Sequence, residues 1–160
     1  MSSEYISNLS LNPFFCSKLI HYFILGHKGK IDFPRIYLVL PFIVYEPSRT
    51  VLHKARKDSS FYTLFIEREK SINLGGIERR YTMYKDLSKE SVIAAVNEGL
   101  IKITEKGEVE SNKIADYKKE KDNNLKIFYR SSYYLGLVFS NYRTIDILIK
   151  SGVKELWNHG

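Results

Sequence analysis

Cysteine is nearly absent. Cys16 stands alone, so no internal disulfide can form and the fold must be held by packing. It lies inside an apolar helical run, where a buried thiol is expected; a reducing compartment, the cytoplasm, is the expected setting. Long hydrophobic runs are missing too. A membrane span needs roughly 18 apolar residues, whereas the most hydrophobic segment, residues 36–45, is shorter and interrupted by Pro41. The opening M-S-S-E-Y-I-S-N carries no basic region ahead of its apolar stretch, so no signal peptide is expected. Tryptophan occurs once, at Trp157, and the few prolines mark element boundaries.

The motifs of common chemistries are absent as well. There is no G-x-x-x-x-G-K-[ST] phosphate loop, no G-x-S-x-G elbow and no H-E-x-x-H. None of His21, His27, His53 and His159 has a histidine or cysteine partner at metal-ligand spacing, so no metal and no cofactor is expected. His21 sits on a mostly apolar helix and reads as a packed histidine. Leu74-Gly75-Gly76 is too short to cradle a phosphate and reads as a hinge, while Glu67 and Glu69 flank Arg68 and face water. The expectation is a protein that is not an enzyme.

What is present is enough apolar sequence, 44%, to bury one core across a single domain, residues 1–160. Tyrosine and phenylalanine are abundant, 12 and 9 residues, and tyrosine-rich surfaces suit protein interfaces. Asn12-Pro13 opens an apolar helix that stops at Gly26. After a loop over residues 27–32, Pro34 starts an element to Tyr45. It reads as a helix kinked or broken near Pro41, with a buried strand as the alternative. Residues 46–50 read as a turn or cap, and residues 51–57 as a short basic segment. Ser59 or Ser60 caps a helix to about Lys70 with Phe61, Leu64 and Phe65 inward. Residues 73–76 link it to a helix over 77–85 bearing Ile77, Tyr81 and Tyr84 on one side. Residues 112–124 are a solvated connection, 125–142 a long helix, and Thr144 caps a last short helix ended by Gly152. No internal repeat is visible.

Residues 86–112 are the most telling. Ser88 reads as an N-cap, and Val92, Ile93, Val96 and Leu100 recur at helical spacing. Gly99 suits a position with positive φ. Leu100, Ile101 and Ile103 then begin a strand, Lys106-Gly107 turns it, and Val109 returns. The fold class is therefore mainly α (α+β). A winged-helix unit of three helices and a β-hairpin spans about residues 59–111, flanked by packed helices at 12–45 and 125–152. The formal charge of +7 is spread along the chain and favours contact with something acidic. Lys54, Arg56 and Lys57 form one basic cluster and Arg79-Arg80 another, and residues 113–130 carry six basic against three acidic residues. Lys54, Arg56, Arg79, Arg80, Lys89 and Lys102 are the candidate DNA contacts. The candidate recognition helix pairs Lys89 with Glu90 and Glu98 and has no arginine to read guanine. That composition favours an assembly module, or a sequence-independent DNA contact, over base readout.

Four segments follow one another in a telling order: N-P-F-F-C-S-K-L-I, then F-P-R-I-Y-L-V-L-P-F-I-V-Y-E-P-S-R, then A-V-N-E-G-L-I-K-I, then Y-Y-L-G-L-V-F-S-N-Y-R-T-I-D-I-L-I-K-S-G-V. Over about residues 11–153 this order resembles the middle component of bacterial ABC-ATPase three-component systems. Members tend to show N-P-A-F, an L-x-L-P segment ending near P-T-R, and an L-G-x-W/F close. Phe14, Ser48, Leu137 and Val138 depart from that pattern. The resemblance implies a non-enzymatic adaptor between an SMC/Rad50-like ABC ATPase and an effector, often a nuclease, in defence against phage or plasmids. Pro41, Tyr45, Arg49, Leu135, Ile145 and Ile149 are then the candidate partner contacts, with the Arg49 guanidinium as an anchor. A second copy of the chain is a further candidate partner. The rival reading is a free-standing winged-helix DNA-binding protein.

Overall fold

Two helices, α1 (Pro13–His27) and α7 (Asn123–Phe139), form the centre of the molecule. The structure, a computed structural model, describes residues 12–153; Trp157 and His159 lie outside the described residues. The Asn12 side chain accepts from the Phe14 amide at 2.8 Å and Pro13 fills the first helical position, as the sequence requires. The two helices run in the same sense. Phe15 meets Phe128 edge-on at 5.3 Å, and Phe23 meets Phe139 at 5.9 Å near the other end. α1 continues one residue past Gly26, because that glycine is a packing residue and not a stop. A Cβ on Gly26 would lie 1.9 Å from the Tyr133 carbonyl oxygen, and one on Gly136 would lie 2.0 Å from that of Phe23. Only two glycines let these backbones touch.

Residues 33–53 are mostly helical, as three short pieces: α2 (Phe33–Ile36), α3 (Val39–Ile43) and α4 (Glu46–His53), with Tyr45 extended ahead of α4. The break falls at Tyr37-Leu38 and not at Pro41. Pro41 sits in the first turn of α3, where a missing N–H leaves no helical bond unmade. The segments expected as a turn (46–50) and a basic stretch (51–57) share one helix as far as His53.

The helix expected over 59–70 is a correction. Ser60 does cap, its Oγ accepting from the Thr63 amide at 3.1 Å, but only a π-helical turn, Tyr62–Ile66, follows. Phe61 and Phe65 both pack on Phe42, at 6.3 and 5.4 Å. The polar run after Ile66 offers no apolar residue to bury, so the chain turns at Arg68 (φ 57) into a 3-10 turn, Lys70–Leu74. Gly76, at φ 75, then leads into α5 (Ile77–Met83), which buries Ile77 and Tyr81.

Helix α6 (Lys85–Asn97) starts earlier than a Ser88 cap would place it. Ser88 lies inside the helix with its hydroxyl buried and unbonded. Gly99, at φ 75, ends the helix, and β1 (Ile101–Ile103) pairs antiparallel with β2 (Val109–Ser111). On the other side of β2, Ile31 and Val109 exchange both backbone bonds at 2.8 Å. The hairpin is thus widened by a residue from the loop after α1.

The polar stretch 112–124 is more than a solvated connection. Tyr117–Lys119 forms a 3-10 turn, and Tyr117 is buried. Asp122 caps α7, accepting from the Asn124 and Leu125 amides. The last helix, α8 (Thr144–Ser151), has Arg143 and not Thr144 at its cap position. The Thr144 hydroxyl instead donates to Asp32 at 2.7 Å. The architecture is mainly helical with one small antiparallel hairpin.

Candidate functional site

Four arginines point inward, and none forms an ion pair with a carboxylate among the described residues. Each guanidinium instead donates to backbone carbonyls at or near the ends of neighbouring helices, where the carbonyls lack helical partners and the helix dipole favours a cation. Arg35 serves α7, donating to the Phe139 and Tyr142 carbonyls at 3.1 and 2.6 Å. Arg49 reaches the Ile43 and Val44 carbonyls after α3 and lies 4.3 Å over the Phe128 ring. Arg80 donates to the Pro41 and Gly75 carbonyls and stacks 3.7 Å over Tyr45. Arg130 ties the end of α4 to α7 through the His53 and Ala55 carbonyls at 2.9 and 3.0 Å. A planar fork with five donors does this; lysine could not.

This pattern relocates several candidate residues. Arg49 is 9% exposed and braces the core, and Arg80 is engaged inside the fold and not directed at a ligand. Pro41 and Leu135 are buried, and Tyr45 lies half-buried under Arg80. Of the candidate partner contacts, Ile145 and Ile149 reach solvent, one turn apart on α8. Of the candidate DNA contacts, Lys54, Arg56, Arg79 and Lys89 are exposed, and Lys102 pairs across the hairpin with Glu110 at 3.4 Å. They sit on different elements: the loop after α4, then α5, α6 and β1.

Helix α6 contains the largest departure from the sequence pattern. It buries Ser88, Ser91, Val92 and Ala95 and leaves Ile93 61% and Val96 36% exposed. Small residues let α1 come close, and the Ser91 hydroxyl satisfies itself on the Leu87 carbonyl at 2.6 Å. Behind it, burial pushes the Cys16 thiol up to about 12, so the sole cysteine is inert at neutral pH. The outward aliphatic residues of α6 were not legible as surface. The spacing of Ser88, Ser91 and Ala95 was the available signal, since small residues on one helical face permit close helix packing.

His21 and His27 are structural in their contacts. His21 Nε2 lies 2.8 Å from the Lys113 carbonyl and donates to it. His27 donates from Nδ1 to the Lys28 carbonyl, which leaves Nε2 to accept from Arg35 at 2.5 Å; the ring is therefore neutral. Burial, the largest cause, holds His21, His27 and His53 below the ordinary histidine value of 6.5. The unfolded chain consequently takes up protons that the folded chain refuses, so stability is expected to be level above about pH 6.5 and to fall as pH drops below it. Urea midpoints at about pH 7.5 and 5.5 check this; equal midpoints would refute it.

Among the described residues, no group of three or more metal-ligating side chains converges, and no helix is long and apolar enough to cross a membrane. Fold and surface together define a mainly helical protein with an accessory hairpin, arginine-braced helix ends and aliphatic side chains turned outward on two helices. The model of the family described as ABC-three component (ABC-3C) system Middle Component 3 matches residues 2–155, and the chain belongs to that family. Neither a curated protein nor a solved structure matches it.

Proposed function

We propose that the protein is a non-catalytic adaptor, acting in the cytoplasm, that joins the SMC/Rad50-like ABC ATPase of its system to an effector in defence against phage or plasmids. Membership of the middle-component family supports a place in such an assembly. The observation that carries the reading is the face of α6: Ile93 and Val96 point outward while serines are buried beneath them. Exposed aliphatic residues on a folded surface favour protein contact, and a base-reading helix would present polar side chains there.

We propose further that the chain holds a winged-helix unit, with a different membership from the expected residues 59–111. Its first helix is α1, which packs on α6, and its first strand is Ile31, paired to β2. Helices α5 and α6 and the β1–β2 hairpin complete it, with residues 33–74 as an insertion between Ile31 and α5.

The test is co-expression with the native gene neighbours followed by affinity capture. The wild-type chain is expected to retain the ATPase. Ile93→Glu with Val96→Glu, or Ile145→Glu with Ile149→Glu, is expected to reduce capture by about 10-fold, as loss of a central apolar contact does. The melting temperature should shift little, because these side chains are exposed. Full retention by both double variants would exclude both faces as the interface.

A further inference from the structure

We propose that residues 54–57 and 118–121 together form one surface that binds the phosphate backbone of duplex DNA without reading sequence. This stands apart from the adaptor reading and uses neither α6 nor the hairpin. The two segments are far apart in the chain and are brought together by one side chain. Arg130 donates from Nε to the His53 carbonyl at 2.9 Å and from Nη2 to the Ala55 carbonyl at 3.0 Å. From Nη1 it reaches the Tyr117 hydroxyl at 3.1 Å. It lies 4.3 Å over the Tyr134 ring, which fixes its plane. The loop after α4 and the 3-10 turn Tyr117–Lys119 are therefore neighbours.

The juxtaposition gathers Lys54, Arg56, Lys57, Lys118, Lys119 and Lys121, all exposed and none in an ion pair among the described residues. The nearby carboxylates keep their charge but face backbone amides and form no ion pair with these cations, so across residues 54–58 and 116–122 six basic side chains stand against four acidic ones. Asp116 accepts from the Lys118 amide at 2.9 Å, Glu120 from that of Asp122 at 3.2 Å, and Asp122 from those of Asn124 and Leu125. Asp58, next to the first segment, makes no such bond among the described residues. Unpaired like charges repel one another and weaken a fold, and a polyanion reverses that repulsion while releasing its own counterions. Neither segment exposes an aromatic ring; Tyr117 is buried. Without a stacking platform, single strands have no special claim on this surface, and a duplex backbone does.

The test is fluorescence anisotropy of a labelled 30-base-pair duplex against the full chain over a salt series. Lys54→Gln/Arg56→Gln/Lys57→Gln and Lys118→Gln/Lys119→Gln/Lys121→Gln are each expected to weaken binding by about 10-fold or more near 100 mM salt. Each should flatten the log K against log salt slope by about 2–3, since every phosphate contact adds roughly 0.9. Lys89→Gln/Lys102→Gln, on α6 and the hairpin, should leave both quantities unchanged, as should scrambling the duplex sequence. Circular dichroism melts confirm that the variants fold. The proposal is overturned if the wild-type chain retains no duplex at 50 mM salt, or if only the Lys89/Lys102 variant loses binding. It is equally overturned if polyglutamate at matched charge competes as well as unlabelled duplex, which would make an acidic protein the partner.

Discussion

Gly136→Ala is expected to destabilise the protein by about 3 kcal/mol or more, in the overpacking range. For a chain of this size that lowers the melting temperature by roughly 10 °C. The sign is informative. Alanine is favoured over glycine inside an exposed helix by about 1 kcal/mol, so a propensity argument predicts a gain. The packing overrides it: the new methyl would sit 2.0 Å from the Phe23 carbonyl oxygen and 2.7 Å from the His27 nitrogen. Both are backbone atoms, so α1 and α7 would have to part, and the aromatic pairs between Phe15 and Phe128 and between Phe23 and Phe139 would part with them. Gly26→Ala should behave alike, with its Cβ 1.9 Å from the Tyr133 oxygen. Gly75→Ala is the milder comparison and should cost much less, because its nearest neighbour, the Ile72 carbonyl oxygen, is 3.3 Å away and need give only slightly, and its φ of −52 suits any residue. A Gly136→Ala melting temperature at or above wild type would refute the crossing geometry.

Arg35→Met is expected to cost about 3–5 kcal/mol and to loosen α8 first. Its guanidinium holds two carbonyls at the end of α7, the Thr144 hydroxyl at 3.1 Å and the His27 ring. Each polar group left buried and unpaired costs about 1–3 kcal/mol. Three elements depend on this one side chain, because Asp32 both caps α2 and accepts from Thr144. Arg35→Lys keeps the charge but not the fork and should recover only part of the loss. Hydrogen exchange separates local from global effects. Amides of residues 144–151 should lose protection ahead of those in α6, and equal loss across the chain would remove the local clamp from the account. The acid sensitivity of the wild type arises partly here, since a protonated His27 could no longer accept from Arg35.

These two sites separate what the chain states locally from what it states only when folded. Asn12-Pro13, Gly99, Lys106-Gly107 and Gly152 work through dihedral preference and short-range bonds, so their roles are readable in order along the chain. The order of segments from N-P-F-F to L-I-K-S-G-V likewise pointed to the middle-component family, to which the chain belongs. The insides of helices were harder. Gly26 reads as a stop until α7 is laid against it, and Arg49 and Arg80 read as surface cations until the carbonyls they serve come within reach. Residues 59–70 carry a helical pattern, but only one wide turn forms before the chain reverses at Arg68, where the polar run has nothing to bury.

By itself, then, the sequence determined the helical class, the hairpin, the Asn12 cap and the family, because these depend on residues within a few positions of one another or on their order. The tertiary structure alone decided which face of α6 is buried, where four arginines end their bonds and which basic segments lie side by side. Those outcomes depend on backbone approach between distant segments, at α1 against α6 and α7 and at Arg130 across α4 and the Tyr117 turn. No local pattern encodes a separation that two distant pieces of chain set together.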